Sequence, residues 1–466
     1  MRIIGVVVAF LVLSVPPTAQ AQGPAGPGFA LPGPDDPGPG LPGLSLPELQ
    51  QWIQRALPAP PLNPVPGALA TPAGLPTDLA RLAAAVQPDP VGDPMFDNWP
   101  ADLADYAPGD VLETRDVTPT ATLLSLWPLQ RAEQLKFRTT DAHGNPSFAT
   151  ATLLVPADAW TGPGARPVVV DALPIDALGR NCTPGYDLAH GYGPKSAPLE
   201  ESFLPPSKQL AFSRGYAVLI PDHEGPLMAY AEPYVAGHAV LDSIRAVRSN
   251  LPGEFGDSKF AMTGYSGGAI AVHGAVALMG SYAPELSDVV VGAALGGVPA
   301  DFGLLAQSMN ANLASGVFLA AALGVAREHP ELLQHMNKAA AWAASSPLKD
   351  TCSGEFSLAG VFMLPMDVAA DFPDPLHSEL ADSMYTLSRM EGMKSPVPLY
   401  IYHGDQEFWV PVEGAKAYFR QQCDLGVPTV YRGVPGEHEL ANYTGYPGMV
   451  TWIDQRLQGL PASDEC

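Results

Sequence analysis

The chain has 466 residues, is 47% hydrophobic, and carries 48 acidic against 24 basic side chains for a formal charge of −24. That length and apolar content are ample for a large core, or for one core with a big insertion. The acidic balance argues against nucleic acid and anionic membrane surfaces as partners.

Arg2, the apolar run Ile3 to Val15 and then Ala19-Gln20-Ala21 read as a secretory signal over residues 1–21, charged start, apolar core and A-x-A cleavage site in order. The run is too short to span a bilayer, and no other stretch is long and apolar enough to be a transmembrane segment. No cysteine lies near the cleavage site to carry a lipid anchor, so a secreted, extracellular protein is expected. Residues 22–92 form a leader rich in Pro and Gly, as in Pro32-Gly33-Pro34-Asp35-Asp36-Pro37. Such composition cannot bury a core, and it predicts an extended, largely disordered linker or propeptide. Two helical patches interrupt it, Ser45 to Leu57 and Thr77 to Val86, as transient or docked helices.

Folded sequence is expected from Asp93. Glu133 to Thr139 and Phe148 to Val155 alternate as an antiparallel strand pair, turned by Asp141-Ala142-His143-Gly144-Asn145-Pro146. Pro167 to Asp171 and Tyr216 to Ile220 are β-branched runs without alternation, as in strands buried on both faces. Helices are expected over 198–214 and Val235 to Arg248. Strands then follow at the run into Ser266 and at Val289 to Leu295. This alternation implies a doubly wound, mostly parallel α/β sheet.

From Val298 to Ser395 the pattern turns helical, with Leu313 to Val325 and His329 to Ala344 the clearest segments. This reads as a helical insertion, 298–395, between core strands, the core being 93–297 and 396–466. It holds seven methionines of the thirteen, Met363, Met366, Met384, Met390 and Met393 among them. Flexible apolar side chains suit a surface that accepts varied hydrophobic ligands, and equally suit the insertion's own interior. The sheet resumes at Pro398 to His403. A helix over Val412 to Cys423, a strand over Val427 to Arg432 and a last helix over Met449 to Leu457 follow.

Gly264-Tyr265-Ser266-Gly267-Gly268 matches the nucleophile-elbow pattern G-x-S-x-G. With 46 glycines in the chain the pentapeptide alone is weak. The apolar strand before it and the small-residue helix after it, with Ala269, Ala271, Ala275 and Ala277, make it informative. A serine hydroxyl needs a positioned base, normally a histidine oriented by a carboxylate. Of ten histidines, His438 alone falls in the loop between the last core strand and the last helix. The acid must follow a strand between Ser266 and His438. Asp405 fits that place, with Glu407 its near competitor. Oxyanion donors are expected from the N–H of Gly267 and from the loop after an earlier strand, where Pro221-Asp222-His223-Glu224-Gly225-Pro226 stands. Four cysteines, Cys182, Cys352, Cys423 and Cys466, lack metal-ligand spacing; their even number in an exported chain argues for two disulfides among three pairings.

Several pieces together resemble the secretory lipases of lipase A type, which are α/β-hydrolases. They are Lys136-Phe137-Arg138-Thr139-Thr140-Asp141, the segment from Gly215 to Pro226, Gly237-His238-Ala239-Val240-Leu241-Asp242, the elbow, Asp405 and Glu437-His438. The resemblance implies a triad of Ser266, Asp405 and His438, an oxyanion hole of Gly267 and Asp222, a helical lid or cap in the insertion 298–395, and the pairings Cys182–Cys352 and Cys423–Cys466. It implies a triacylglycerol lipase working through an acyl-enzyme on a lipid or ester substrate, an oil–water interface included, with no metal or organic cofactor. A short-chain esterase, an acyltransferase, and an exported binding protein that keeps the fold without the activity are the alternatives.

Overall fold

The computed structural model describes residues 45–69, 74–193 and 211–466. The signal-like start, the first part of the Pro-rich leader and residues 198–210 of the helix expected over 198–214 lie outside the described residues.

Nine strands form one sheet in the order β1-β2-β3-β5-β4-β6-β7-β8-β9. They are β1 Val111–Asp116, β2 Leu129–Thr140, β3 Pro146–Pro156, β4 Val168–Ala172, β5 Ala217–Pro221, β6 Phe260–Tyr265, β7 Val290–Gly296, β8 Leu399–Gly404 and β9 Thr429–Val434. The first three and the β3–β5 pair run antiparallel, and every pair from β5 to β9 is parallel. The expected β2–β3 hairpin is tied by the Asp141 carboxylate, which accepts from the N–H groups of His143 and Asn145 at 2.8 and 2.7 Å. Strand β1 was not expected from the sequence. Its Glu113, Arg115 and Asp116 suit a half-exposed edge, where charges discourage pairing with another chain.

Strands β4 and β6 are buried at every position, as two-faced coverage by helices requires. Helices Pro233–Asn250 and Gly267–Tyr282 cover one face with Val240, Ile244, Val272 and Val276. The last helix covers the other with Met449, Trp452 and Ile453. The two helices on the first face approach closely, since a Cβ on Gly237 would strike the backbone of Gly274. This is an α/β-hydrolase sheet.

Between β7 and β8 stands the helical insertion, with Phe302–Met309, Ser315–Glu328, Lys338–Ala344, Ser353–Ala359 and Glu379–Arg389 its α-helices. The continuous helix expected over His329 to Ala344 is broken. A short 3-10 helix covers Pro330–His335, and Asn337 then caps a new helix by accepting from the Ala340 N–H. The last helix is longer than expected, His438–Leu457, and it carries Pro447 in its interior.

In the described part of the leader, helices Leu46–Ala56 and Thr77–Ala85 form and lie on the insertion. Leu79, Leu82 and Val86 pack with Ala326, Leu333 and Ala341 of the insertion. Gln50 Nε2 donates to the carbonyls of Asp367 and Phe372, both at 2.8 Å, and Lys338 Nζ donates to the Gln54 carbonyl at 2.6 Å. Disulfides join Cys182 to Cys352 and Cys423 to Cys466.

Candidate active site

Strand β6 delivers its chain into Ser266 at φ 52° and ψ −120°, a left-side conformation that a non-glycine residue adopts only under constraint. The constraint is local. Ser266 N–H donates to the Gly296 carbonyl at 3.0 Å, and its own carbonyl starts the elbow helix by accepting from Ala269 and Ile270. A Cβ on Gly264 would strike the backbone of Gly268 and Ala269, and one on Gly268 would strike Ala172 and Leu173 at the end of β4. Both motif glycines are therefore steric requirements. Gly267 is the first residue of the elbow helix, so its N–H has no partner within the helix and is available to a ligand.

His438 opens the last helix, with Glu437 capping it by accepting from the N–H groups of Glu439 and Leu440 at 3.0 Å each. Its Nε2 lies 2.8 Å from Ser266 Oγ, and its Nδ1 lies 2.7 Å from Glu407 Oε2. The Tyr265 hydroxyl donates to the His438 carbonyl, and the Trp409 ring lies 5.8 Å from the imidazole. Burial alone would lower the imidazole's proton affinity, but the Glu407 hydrogen bond and charge outweigh it, so the pKa sits above its ordinary value. Burial likewise would raise Glu407. The His438 bond and charge, with the N–H groups of Trp409 and Val410, hold it below the ordinary carboxylate value instead.

The acid against His438 is Glu407 and not Asp405. Asp405 leaves the end of β8 exposed to solvent, with its N–H on the Val434 carbonyl at 2.8 Å and its carboxylate beside Gly433 of β9. Glu407 is two residues further into the loop, and its side chain is fully enclosed. Its Oε1 accepts from the N–H groups of Phe408, Trp409 and Val410 at 3.0, 2.8 and 3.2 Å, which aims Oε2 at the imidazole. Gln406 joins the two loops: Gly436 N–H donates to its Oε1 at 2.6 Å, and its N–H donates to the Gly436 carbonyl at 3.1 Å. The sequence did hold the signal, since Glu407 was the near competitor. What it lacked was the direction in which each carboxylate leaves the strand.

Asp222 is not beside the elbow either. It follows β5, and β4 stands between β5 and the nucleophile strand β6. Its carboxyl is engaged by Thr150 Oγ1 at 2.5 Å and by the Gly185 N–H at 2.8 Å. The loop after β4 supplies the residue that does reach the elbow, Asp176. Asp176 has φ 44°, and a Cβ placed on Gly267 would overlap its carboxylate. Its Oδ1 is enclosed and has no hydrogen-bond partner among the described residues. Burial pushes this carboxyl up to about 7, against the pull of His438. The missed signal was strand order: the loop that faces the elbow follows the strand paired with β6, and β4 fills that place.

The profile of the secretory lipase family matches residues 208–465. The chain belongs to that family. Relatives include Lipase 2 of Candida albicans, 30% identical over 424 residues, 84% of this chain and 86% of that protein. A secreted triacylglycerol lipase of Malassezia globosa is 29% identical over 380 residues, 77% of each chain. Among solved structures, Candida antarctica lipase A superposes with a TM-score of 0.72 at 26% identity, covering 82% of this chain and 89% of that one. As a secretory lipase with an α/β-hydrolase sheet, the chain is a serine-type ester hydrolase. Among the described residues no helix is long and apolar enough to cross a membrane.

Proposed function

We propose that this secretory lipase is an exported enzyme that hydrolyses acylglycerol esters through an acyl-enzyme on Ser266. The observation that carries the reading is the unbroken line Ser266 Oγ, His438 and Glu407, at 2.8 and 2.7 Å. His438 takes the hydroxyl proton as Ser266 Oγ bonds to the ester carbonyl carbon, and Glu407 stabilises the resulting imidazolium. The tetrahedral oxyanion is met by the Gly267 N–H and by the Asp176 carboxyl, which donates in its protonated form. His438 returns the proton to the departing alcohol. Water, deprotonated by the same imidazole, then releases the fatty acid.

Phe408 and Leu440 flank the acid and the base and are 52% and 50% exposed, an apolar rim that suits an acyl chain better than a polar alcohol. The helical insertion supports a lid reading, since it stands between β7 and β8, beside the strand ends that carry Gly297 and Glu407. The paired cysteines and the signal-like start support export. The test is labelling with a lipid-like phosphonate together with hydrolysis of p-nitrophenyl esters of rising chain length. One equivalent bound to Ser266, lost in Ser266→Ala, with activity highest on long chains, is expected. Activity confined to acetate and butyrate would make the chain a general esterase, and no labelling would remove the acyl-enzyme.

A further inference from the structure

We propose that Glu224 is a positioning residue for the reaction, holding from behind the loop that presents Asp176 to the elbow. The proposal rests on the oxyanion reading above.

The loop from Leu173 to Leu178 has to be held, because Asp176 adopts a left-handed backbone conformation that residues other than glycine seldom take. Its own sequence supplies no turn that would do this. The restraints come from the loop after β5 and from the insertion. His223 Nε2 bonds to the Leu173 carbonyl at 2.8 Å, and the Ala177 N–H donates to Glu224 Oε1 at 3.2 Å. The Asp176 N–H faces the same Glu224 carboxylate.

Glu224 is an expensive residue to keep there. It is 2% exposed, and its Oε2 has no hydrogen-bond partner among the described residues. A buried carboxyl with a free oxygen is costly unless something else requires it. Its charge is opposed by Arg327 of the insertion helix Ser315–Glu328. That guanidinium is itself buried and donates to the carbonyls of Val86, Leu178, Leu227, Met228 and Lys349. One side chain thus ties leader, insertion and the Asp176 loop together, and its charge sits where it favours a carboxylate at Glu224. Burial pushes Glu224 well up, and the nearby Asp176 carboxyl adds to it.

The experiment compares wild type, Asp176→Ala, Glu224→Ala and Glu224→Gln on p-nitrophenyl butyrate. Rates are expressed per serine titrated by a phosphonate, so that misfolded protein is not counted. Asp176→Ala is expected to lose about 100-fold or more in kcat, the effect of removing one oxyanion donor. Glu224→Ala should lose about 10-fold or more in kcat with KM within about two-fold, the signature of lost transition-state stabilisation. Glu224→Gln keeps an acceptor for the Ala177 N–H and should recover most of that rate. Wild-type kcat per titrated serine in Glu224→Ala, whatever its melting temperature, overturns the proposal while leaving Asp176 in place. Wild-type kcat in Asp176→Ala overturns the oxyanion reading and this proposal with it. If Glu224→Ala yields no titratable serine, Glu224→Asp decides: it withdraws the carboxylate by one methylene, and a loss of less than 10-fold overturns the proposal.

Discussion

The edge of the sheet that carries the candidate site and the seam between leader and insertion are built by different means. At the edge, Ser266, Glu407 and His438 each leave the end of a strand whose neighbours are set by a continuous parallel ladder. Strands β4, β6 and β8 beneath them are buried at every position. At the seam the buried apolar cluster is small and centred on Leu79, Leu82, Val86 and Leu333. Much of the contact there is single polar side chains on backbone carbonyls, from Gln50, Lys338, Trp342 and Arg327. A ladder spreads a fault over many bonds, whereas a seam of single side chains concentrates it. Substitutions at the edge should therefore change rate at nearly constant stability, and substitutions at the seam away from the Asp176 loop should do the reverse.

The largest effect belongs to the acid. Glu407→Gln should lower kcat by about 10³- to 10⁴-fold, because the amide no longer stabilises the imidazolium or selects its tautomer. Asp405→Asn, on an exposed carboxylate beside Gly433, should stay within about two-fold, as surface changes usually do. Steady-state kinetics on one ester separates them. Equal losses in the two variants would return Asp405 to the triad and dissolve the contrast drawn at the edge.

Arg327→Leu attacks the seam. It strands five buried carbonyls at once and should lower the unfolding free energy by about 3 kcal/mol or more, read by urea denaturation. An unfolding midpoint equal to that of the wild type would show that the seam carries little.

The edge has a pH signature of its own. His438 must be neutral to act as base, and its raised pKa means that kcat/KM falls as pH drops through a value above the ordinary imidazole one. Asp176 must be protonated to donate, so activity also falls as pH rises through a value of about 7. The two limbs are macroscopic properties of coupled groups and give a narrow bell near neutrality. Asp176→Asn keeps a donor that cannot ionise. It should abolish the alkaline limb alone, and a profile unchanged on that side would sink the assignment of Asp176.

What was legible in the sequence follows the same division. The elbow was readable because its requirement is steric and short-range: Gly264 and Gly268 meet backbone within a few residues or at the next strand. The disulfide pairs came from the family resemblance. Asp405 was preferred to Glu407 because chain order places both past β8, and only the three N–H groups of 408–410 show which carboxylate is turned inward. Asp222 was preferred to Asp176 because nothing in the chain order states that β4 lies between β5 and β6. The leader was read as largely disordered apart from two short helices because its composition cannot bury a core alone, and the surface its first helix lies on belongs to residues 284 to 317 positions away.

The smallest effect tests whether that leader is held as the structure has it. Gln50 is 4% exposed, and its amide bridges the Asp367 and Phe372 carbonyls of the insertion. Gln50→Ala removes both bonds and leaves two acceptors without a donor, a local loss of about 1–2 kcal/mol. The helix Leu46–Ala56 contributes little else to the core beyond Ile53. Its detachment should therefore be local and not global, with amide exchange across residues 46–56 rising about ten-fold while the melting temperature and kcat on a short-chain ester stay as they were. Unchanged exchange would mean that Lys338 and Trp342, on Gln54 and Pro58, hold the leader without Gln50. A fall in melting temperature would mean that leader and core unfold together, which would erase the distinction between seam and edge.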